Sequence, residues 1–186
     1  MKNFRTTLIM LVIFVTLAAC QYTANAASIA NATEIDQNAD VALKKLFETA
    51  PLASELRKKA VGILIFPNIL KAGFIVGGQY GEGALRQNGK TTGYYNTVAA
   101  SYGLQAGAQQ FGYALFFMNK KALSYLDESD GWEVGVGPSI VLVDEGIAKS
   151  MSTTTAQDDV YAFFFNQKGL MAGAGLQGSK ITRINP

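Results

Sequence analysis

Apolar residues recur at intervals of three and four over residues 33–50, which is the period of an amphipathic helix. Thr33 can cap this helix, and Asp36 places a negative charge near its N-terminal end, where the helix dipole favours one. The buried face is expected to consist of Ala39, Ala42, Leu43, Leu46, Phe47 and Ala50. Pro51 ends this helix or begins another, and a second short helix is predicted from Leu52 to Ala60.

After the second helix the pattern changes to that of β-strands. Ile63 to Phe66 form a short apolar run that Pro67 is expected to stop, and Gly73 to Leu85 has the pattern of a strand interrupted by glycines. Asn88-Gly89 predicts a tight hairpin turn, with residues 93–98 returning as the partner strand.

The rest of the chain also has mainly the pattern of strands. Ser101 to Met118 is predicted as a strand, and Asn119 is expected to cap a short helix that ends near Asp130-Gly131. The later predicted strands are Trp132–Val143, Thr153–Thr155, Val160–Phe165, Leu170–Leu176 and Ser179–Ile184, with a turn at 166–169. Short connections favour antiparallel pairing. The sequence thus predicts an α+β fold, a curved, mostly antiparallel sheet or partly closed β-barrel with the N-terminal helices and one short helix packed on it.

Four glycines, Gly73, Gly77, Gly81 and Gly83, remove side chains from one face of the second predicted strand. Glycine weakens a strand unless another group needs the space. Three explanations are open: sharp coiling of the sheet, close packing of a helix on it, and the approach of a ligand. The two structural explanations are favoured.

Residues 1–19 have the features of a secretory signal. Lys2 and Arg5 precede an uncharged apolar run that is too short for a membrane span. The segment that ends at Cys20 resembles the bacterial lipobox, in which the signal is cut before a cysteine whose thiol then carries diacylglycerol. We therefore expect Cys20 to be lipidated and, because Gln21 follows it, the protein to be anchored to the outer membrane. The alternative is cleavage after Ala26, which would release a soluble periplasmic or secreted protein.

The remaining chain divides into two parts by composition. Residues 20–33 are rich in small and polar residues and are expected to form a flexible tether. Residues 34–186 are expected to form a single domain, because 49% of the chain is hydrophobic and its length suits one buried core.

Charge and residue usage exclude several classes of function. The chain has 16 Lys and Arg, 14 Asp and Glu, and no His. Without Lys2 and Arg5 the balance is neutral, so no basic excess is present for nucleic-acid binding. A single Cys and no His exclude the usual nucleophile pairs and most zinc sites. We expect no enzyme activity, no cofactor and no metal.

Three motifs resemble known sites but fail on their spacing or surroundings. Gly83 to Thr91 ends like a phosphate-binding loop, yet five residues separate its glycines where the loop needs four, and the segment lies in a hairpin. Asp127 to Gly131 resembles a calcium loop, but Pro138 stands where the closing Glu is required. Asp158 and Asp159 could serve as acid and base, but no nucleophile accompanies them, and solvated loop ends are the favoured interpretation.

Basic residues group around the predicted helices and the first strands. The candidates for lipid binding are Lys44, Lys45, Arg57, Lys58, Lys59 and Lys71. Gathered in space, such residues attract anionic lipid headgroups by about 1 kcal/mol each, an attraction that salt weakens. The alternative is that they complement helix ends and are solvated.

Ordered sequence blocks over residues 34–185 resemble the SYLF lipid-binding domain family, also described as an actin-binding domain family after its yeast members. The blocks are Ala60–Pro67, Lys71–Phe74, Gly77–Gly83, Ser101–Gly107, Val136–Pro138, Asp159–Phe165 and Lys168–Gly178. The resemblance implies a non-enzymatic domain that binds phospholipids through basic residues and an N-terminal amphipathic helix, here the helix with Lys44 and Lys45. One departure is Tyr94-Tyr95-Asn96-Thr97, where many members have Trp-Ser-x-Pro.

Two functions remain open at this point. The favoured one is a lipoprotein of the bacterial branch whose domain binds anionic phospholipid or another envelope lipid, with salt-sensitive binding that is lost when Lys58, Lys59 and Lys71 are removed. The alternative is a structural or protein-interaction module anchored through Cys20, with an envelope protein as its partner.

Overall fold

The computed structural model describes residues 31–128, 130–143, 157–169 and 178–186. The helices are α1, which covers residues 31–49, α2 (Pro51–Leu56) and α3 (Lys120–Leu123), which continues as a 3₁₀ turn over Ser124–Asp127. The strands are β1 (Gly62–Gln87), β2 (Lys90–Phe117), β3 (Trp132–Glu133), β4 (Ile140–Val143), β5 (Val160–Gly169) and β6 (Lys180–Ile184).

Several predictions fall outside these ranges. They are the secretory signal, Cys20 with most of the tether, the strand at Thr153–Thr155 and the strand at Leu170–Leu176. Among the described helices, none combines the length and the apolar character needed to cross a bilayer.

The two N-terminal helices follow the predicted hydrophobic pattern. Ile35, Ala39 and Leu46 are among the buried residues of α1, and residues 31–33 are already helical. Pro51 lies in the first turn of α2, where its missing N–H is not needed. α2 ends at Leu56, earlier than predicted, because the Lys58 and Lys59 amides bond three residues back and tighten the chain into a turn.

β1 and β2 form one long antiparallel hairpin. Asn88 and Gly89 close it with φ angles of 51° and 76°, the left-handed values that a type I′ turn requires. The prediction that Pro67 stops the first strand is wrong. β1 continues through it, with a register shift between Phe66 and Ile69, and a bulge tolerates a residue that has no N–H to donate.

β2 is the central strand of the described sheet. Its segment Tyr94–Val98 pairs with β6 and its segment Gln109–Phe117 pairs with β5, while β1 pairs along the other edge. β3 pairs with β6, and β4 pairs with β5 in the parallel direction. The predicted class is confirmed, since the sheet is mostly antiparallel and curls into a half-barrel with helices packed on it.

The hairpin bends so sharply that β1 packs against itself. A Cβ atom at Gly81 would lie 2.7 Å from Ile69 Cγ1 and 2.8 Å from the Asn68 carbonyl oxygen. A Cβ atom at Gly83 would collide with the Ile65 carbonyl oxygen. These contacts confirm the structural explanation for both glycines, because the crossing backbone occupies the space that a side chain would need.

Two apolar clusters lie on opposite faces of the sheet, because side chains alternate along each strand. Tyr113, Leu115 and Phe117 belong to the cluster inside the half-barrel, which also holds Trp132. Their neighbours Ala114 and Phe116 belong to the cluster that α1 and α2 cover from outside. The sheet therefore holds the helices on its convex side, and the helices form the outer wall of the site described below.

The chain after β2 differs from the sequence prediction in two places. The single strand predicted over Trp132–Val143 is two strands, β3 and β4, because Gly135 and Gly137 take left-handed φ angles of 105° and 92° between them. The turn predicted at 166–169 lies within β5, where Asn166 has a φ angle of 53°. The cap prediction is confirmed: the Asn119 side chain accepts a hydrogen bond from the Ala122 amide at 2.8 Å.

Candidate functional site

Part of the predicted basic group meets in a groove between α1, α2 and the β1–β2 turn. The groove has a volume of about 710 Å³, and Lys44, Arg57 and Lys58 line it together with Arg86. The remaining lining consists of two carboxylates, several apolar side chains and the turn, namely Asp40, Glu48, Leu43, Phe47, Ala60, Ile63, Ser54, Asn88 and Gly89. We call this the basic groove. Cations thus surround a floor that is partly apolar.

Contacts within the helices orient two of these cations. The Arg57 guanidinium lies over the Phe47 ring, 4.7 Å from its centroid, in a cation–π contact that joins α1 to the end of α2. Lys58 Nζ lies 2.7 Å from Glu55 Oε1, and both side chains are more than half exposed. An exposed ion pair of this kind contributes little to stability, so the Lys58 ammonium can exchange its carboxylate for another anion at small cost.

The other three predicted lipid-binding residues do not line the groove. Lys45 donates from Nζ to Asn166 Oδ1 at 2.8 Å, which directs it towards β5. Lys59 is exposed in the turn after α2. Lys71 lies in β1 opposite Gln109, close to the bend of the hairpin. The six residues therefore do not form a single patch.

Arg86 is a groove residue that the sequence interpretation missed. Its side chain is only 12% exposed, and it bonds Asp36 Oδ1 at 3.2 Å and Asp40 Oδ1 at 2.8 Å on α1. It also contacts the Thr91 hydroxyl, which donates to Asp36 Oδ1 at 2.7 Å. The sequence feature that could have identified Arg86 is the segment from Gly83 to Thr91, which resembles a phosphate-binding loop. Its Arg86 and Thr91 instead bond Asp36 of α1.

Tyr94 extends the same network. Its hydroxyl donates to Asp36 Oδ2 at 3.0 Å. Burial, followed by this hydrogen bond to Asp36, raises the pKa of Tyr94, so the hydroxyl remains a donor at neutral pH. Because Asp36 and Asp40 neutralise Arg86, the positive charge left for a ligand in the basic groove belongs mainly to Lys44, Arg57 and Lys58.

Asp159, one of the two adjacent carboxylates considered as acid and base, is held by hydrogen bonds from neighbouring segments. Asn119 Nδ2 donates to Asp159 Oδ1 at 2.7 Å, and the Ser139 amide donates to Asp159 Oδ2 at 3.1 Å. The Asn119 bond, followed by the Ser139 bond, lowers the pKa of Asp159, so the group is ionised at neutral pH and its carboxylate is a weak base. These contacts tie the start of α3 to the segment before β4. Within the described residues, no group of three or more acidic, Cys or His side chains is placed to hold a metal ion.

Comparison with known proteins gives one family. Residues 98–185 match the sequence model of the Ysc84 family, whose description is Las17-binding protein actin regulator. A search among curated proteins gives no match. The matched segment runs from β2 to β6, whereas the basic groove is formed by residues that precede it. The match over residues 98–185 supports the resemblance to the Ysc84 (SYLF) domain family, a family associated with the binding of lipids and proteins.

Proposed function

We propose that this protein is a non-enzymatic, membrane-associated domain that binds anionic phospholipid headgroups in the basic groove. The observation that carries the proposal is the convergence of Lys44, Arg57 and Lys58 on one groove. Each cation near a membrane surface contributes about 1 kcal/mol of attraction to anionic lipid. Three such residues together attract the domain to an anionic membrane, and this attraction weakens as the salt concentration rises.

The apolar floor supports a lipid over a simple anion. Leu43, Phe47 and Ile63 line the groove beside the cations. A headgroup phosphate can meet the charged rim while the glycerol and upper acyl carbons lie against these side chains, each buried CH₂ contributing about 0.8 kcal/mol. A free inorganic phosphate would use only the rim.

Export and anchoring complete the proposal. We propose that the protein is exported and held at the outer membrane by acyl chains on Cys20, with cleavage after Ala26 as the alternative that leaves it soluble in the periplasm or secreted. After a high-salt wash that weakens binding by charge, Cys20→Ala is expected to appear in the soluble fraction, because it lacks the thiol that carries the diacylglycerol. A protein that fractionates identically with and without this thiol is not anchored by it.

The test of lipid binding is co-sedimentation with vesicles, using the mature chain (residues 20–186) with Cys20→Ser, so that neither the apolar leader nor an acyl anchor contributes. Binding is expected to vesicles of phosphatidylethanolamine and phosphatidylglycerol, and not to vesicles of phosphatidylcholine. High salt is expected to weaken it. Each of Lys44→Ala, Arg57→Ala and Lys58→Ala is expected to reduce affinity about fivefold, which corresponds to about 1 kcal/mol.

Lys120→Ala provides the matched control, because it removes one exposed positive charge from α3, away from the groove. It is expected to change affinity by less than twofold. Equal losses in all four variants would mean that overall charge, and not the basic groove, determines binding. Absence of binding to anionic vesicles at low salt would reject the proposal.

A second candidate is a protein-interaction module with an envelope protein as partner. The family description, which names a protein that its members bind, favours it. It predicts a reproducible cross-linked partner and no affinity for vesicles. The vesicle experiment therefore separates the two candidates.

A further inference from the structure

The bent part of the β1–β2 hairpin exposes large apolar side chains. They are Phe74 at 74% exposure, Val76 at 63%, Leu70 at 59%, Tyr80 at 50% and Val98 at 46%. We call these five residues the apolar strip. The exposure is greatest at Phe74 and Val76, where the hairpin bends, and smaller at either end. The apolar tip of the strip, Phe74 and Val76, is therefore its most exposed part.

Strand geometry places these side chains together. Leu70, Phe74, Val76 and Tyr80 lie at even positions of β1, and Tyr80 pairs with Val98 on β2. Because side chains alternate along a strand, Leu70 shares a face with Phe74 before the register shift at the bend, and Val76 shares a face with Tyr80 and Val98 after it. A Cβ atom at Gly78, between Val76 and Tyr80, would meet nothing within 4 Å, so the face is open there.

The strip continues from the face of the sheet that α1 covers. Leu70 and Tyr80 line a groove of about 510 Å³ together with Asn31, Ile35 and Asn38 of α1. Asn31, the first described residue, thus lies at the base of the apolar strip.

Charge along this part of the hairpin is sparse. Lys71 is the only charged residue from Pro67 to Gly81, and no charged residue occurs over residues 96–117. Glu82 stands at the base of the strip, where its carboxylate accepts a hydrogen bond from the Tyr80 hydroxyl at 2.6 Å. An apolar tip with a tyrosine hydroxyl at its base has the amphipathic arrangement that aromatic residues adopt at membrane interfaces.

We propose that the apolar strip inserts shallowly into the headgroup region of the leaflet that faces the domain. This inference rests on the proposed function, since it needs the domain to lie at a membrane. Ten residues lie between Cys20 and Asn31, and the chain from one to the other spans at most about 40 Å. An acyl anchor at Cys20 would therefore keep the strip within reach of the lipid surface.

The backbone of the hairpin is compatible with shallow insertion. β1 and β2 pair on both sides of the bend, from Leu70–Gln110 to Phe74–Ala106 and from Val76–Tyr102 to Tyr80–Val98. These pairs satisfy half of the peptide groups in the hairpin, and the outward-facing half would have to remain at the depth of the headgroups. The strip is thus suited to the interface and not to the centre of the bilayer.

The test places an environment-sensitive dye on the mature chain (residues 20–186) with Cys20→Ser, attached through Phe74→Cys in one variant and Val41→Cys in the other. Val41 is the matched control, because it is 71% exposed but lies on α1. Vesicles of phosphatidylethanolamine and phosphatidylglycerol are added, and sedimentation is measured on the same samples. The dye at position 74 is expected to brighten severalfold and to be quenched by bromine-labelled lipid, while the dye at position 41 stays unchanged.

The outcomes separate this inference from the proposed function. Protein that sediments while the dye at position 74 stays unchanged rejects insertion and leaves headgroup binding in place. Protein that does not sediment rejects both. A dye signal that grows with protein concentration in the absence of vesicles identifies a second copy as the occupant and also rejects insertion. In a companion titration, Phe74→Ser is expected to weaken vesicle binding about tenfold or more and Val41→Ser less than twofold.

Discussion

The Arg86 guanidinium at the end of β1 bonds the Asp36 carboxylate on α1, with Nη1 3.2 Å from Oδ1, across 50 positions of sequence. Asp40 accepts from the same guanidinium at 2.8 Å, and Arg86 Nη2 also donates to the Asp36 carbonyl oxygen at 3.0 Å. One side chain thereby fixes the first turns of α1 on the sheet and closes one side of the basic groove.

Arg86→Ala is expected to lower the free energy of unfolding by about 2–3 kcal/mol, because it leaves Asp36 partly buried without its cation. Lys58→Ala removes an ion pair that is more than half exposed on both sides, and its cost is expected to stay below about 1 kcal/mol. Urea denaturation of both variants provides the comparison. Similar losses in the two would show that Arg86 does not hold α1 to the sheet.

Gly81→Ala is expected to destabilise the fold by about 1–3 kcal/mol, because the new methyl group would overpack the crossing strand. Its Cβ atom would lie 2.7 Å from Ile69 Cγ1 and 2.8 Å from the Asn68 carbonyl oxygen. Gly78→Ala is the control, since its Cβ atom would meet nothing within 4 Å, and a change within about 0.5 kcal/mol is expected. A melting temperature that is lower for Gly78→Ala than for Gly81→Ala would contradict the observed bend.

Asp159 is expected to titrate below its ordinary pKa of 3.8, because the Asn119 side chain and the Ser139 amide bond its ionised form. A lowered pKa in the folded state gives stability that is present above 3.8 and is lost as the pH falls through the folded-state value. Asn119→Ala should raise the pKa measured by carbon NMR towards 3.8. An unchanged titration would mean that Asn119 does not act on this carboxylate.

Tyr113 is expected to contribute to the loss of stability at alkaline pH. Burial raises its pKa from the ordinary 10.0, and its hydroxyl donates to Thr97 Oγ1 at 2.9 Å inside the half-barrel. The unfolded chain releases this proton near pH 10, whereas the folded chain retains it, so stability falls as the pH rises above 10. Tyr113→Phe should make that decline shallower in denaturant titrations. An equally steep decline would show that other groups cause it.

The sequence correctly predicted the elements that depend on residues close together in the chain. The spacing of Ala39 and Leu46 indicated the buried face of α1, Asn88-Gly89 indicated the hairpin turn, and Asn119 indicated the start of α3. Each depends on residues within one or two turns of chain. The prediction at Pro67 was wrong because it used only local sequence. The bulge that accommodates Pro67 depends on pairing with β2, a strand that returns some 45 positions later.

The candidate site required the tertiary structure. Composition and the order of residues determined that basic side chains flank α2 and that a glycine-rich strand follows. Only the fold decided that Lys44, Arg57 and Lys58 share a groove with Arg86 while Lys71 lies elsewhere. The bend of the hairpin likewise decided that Phe74 and Val76 stand exposed at its tip. Chain reversals over tens of residues set these distances, and the pattern within any one segment carries no information about them.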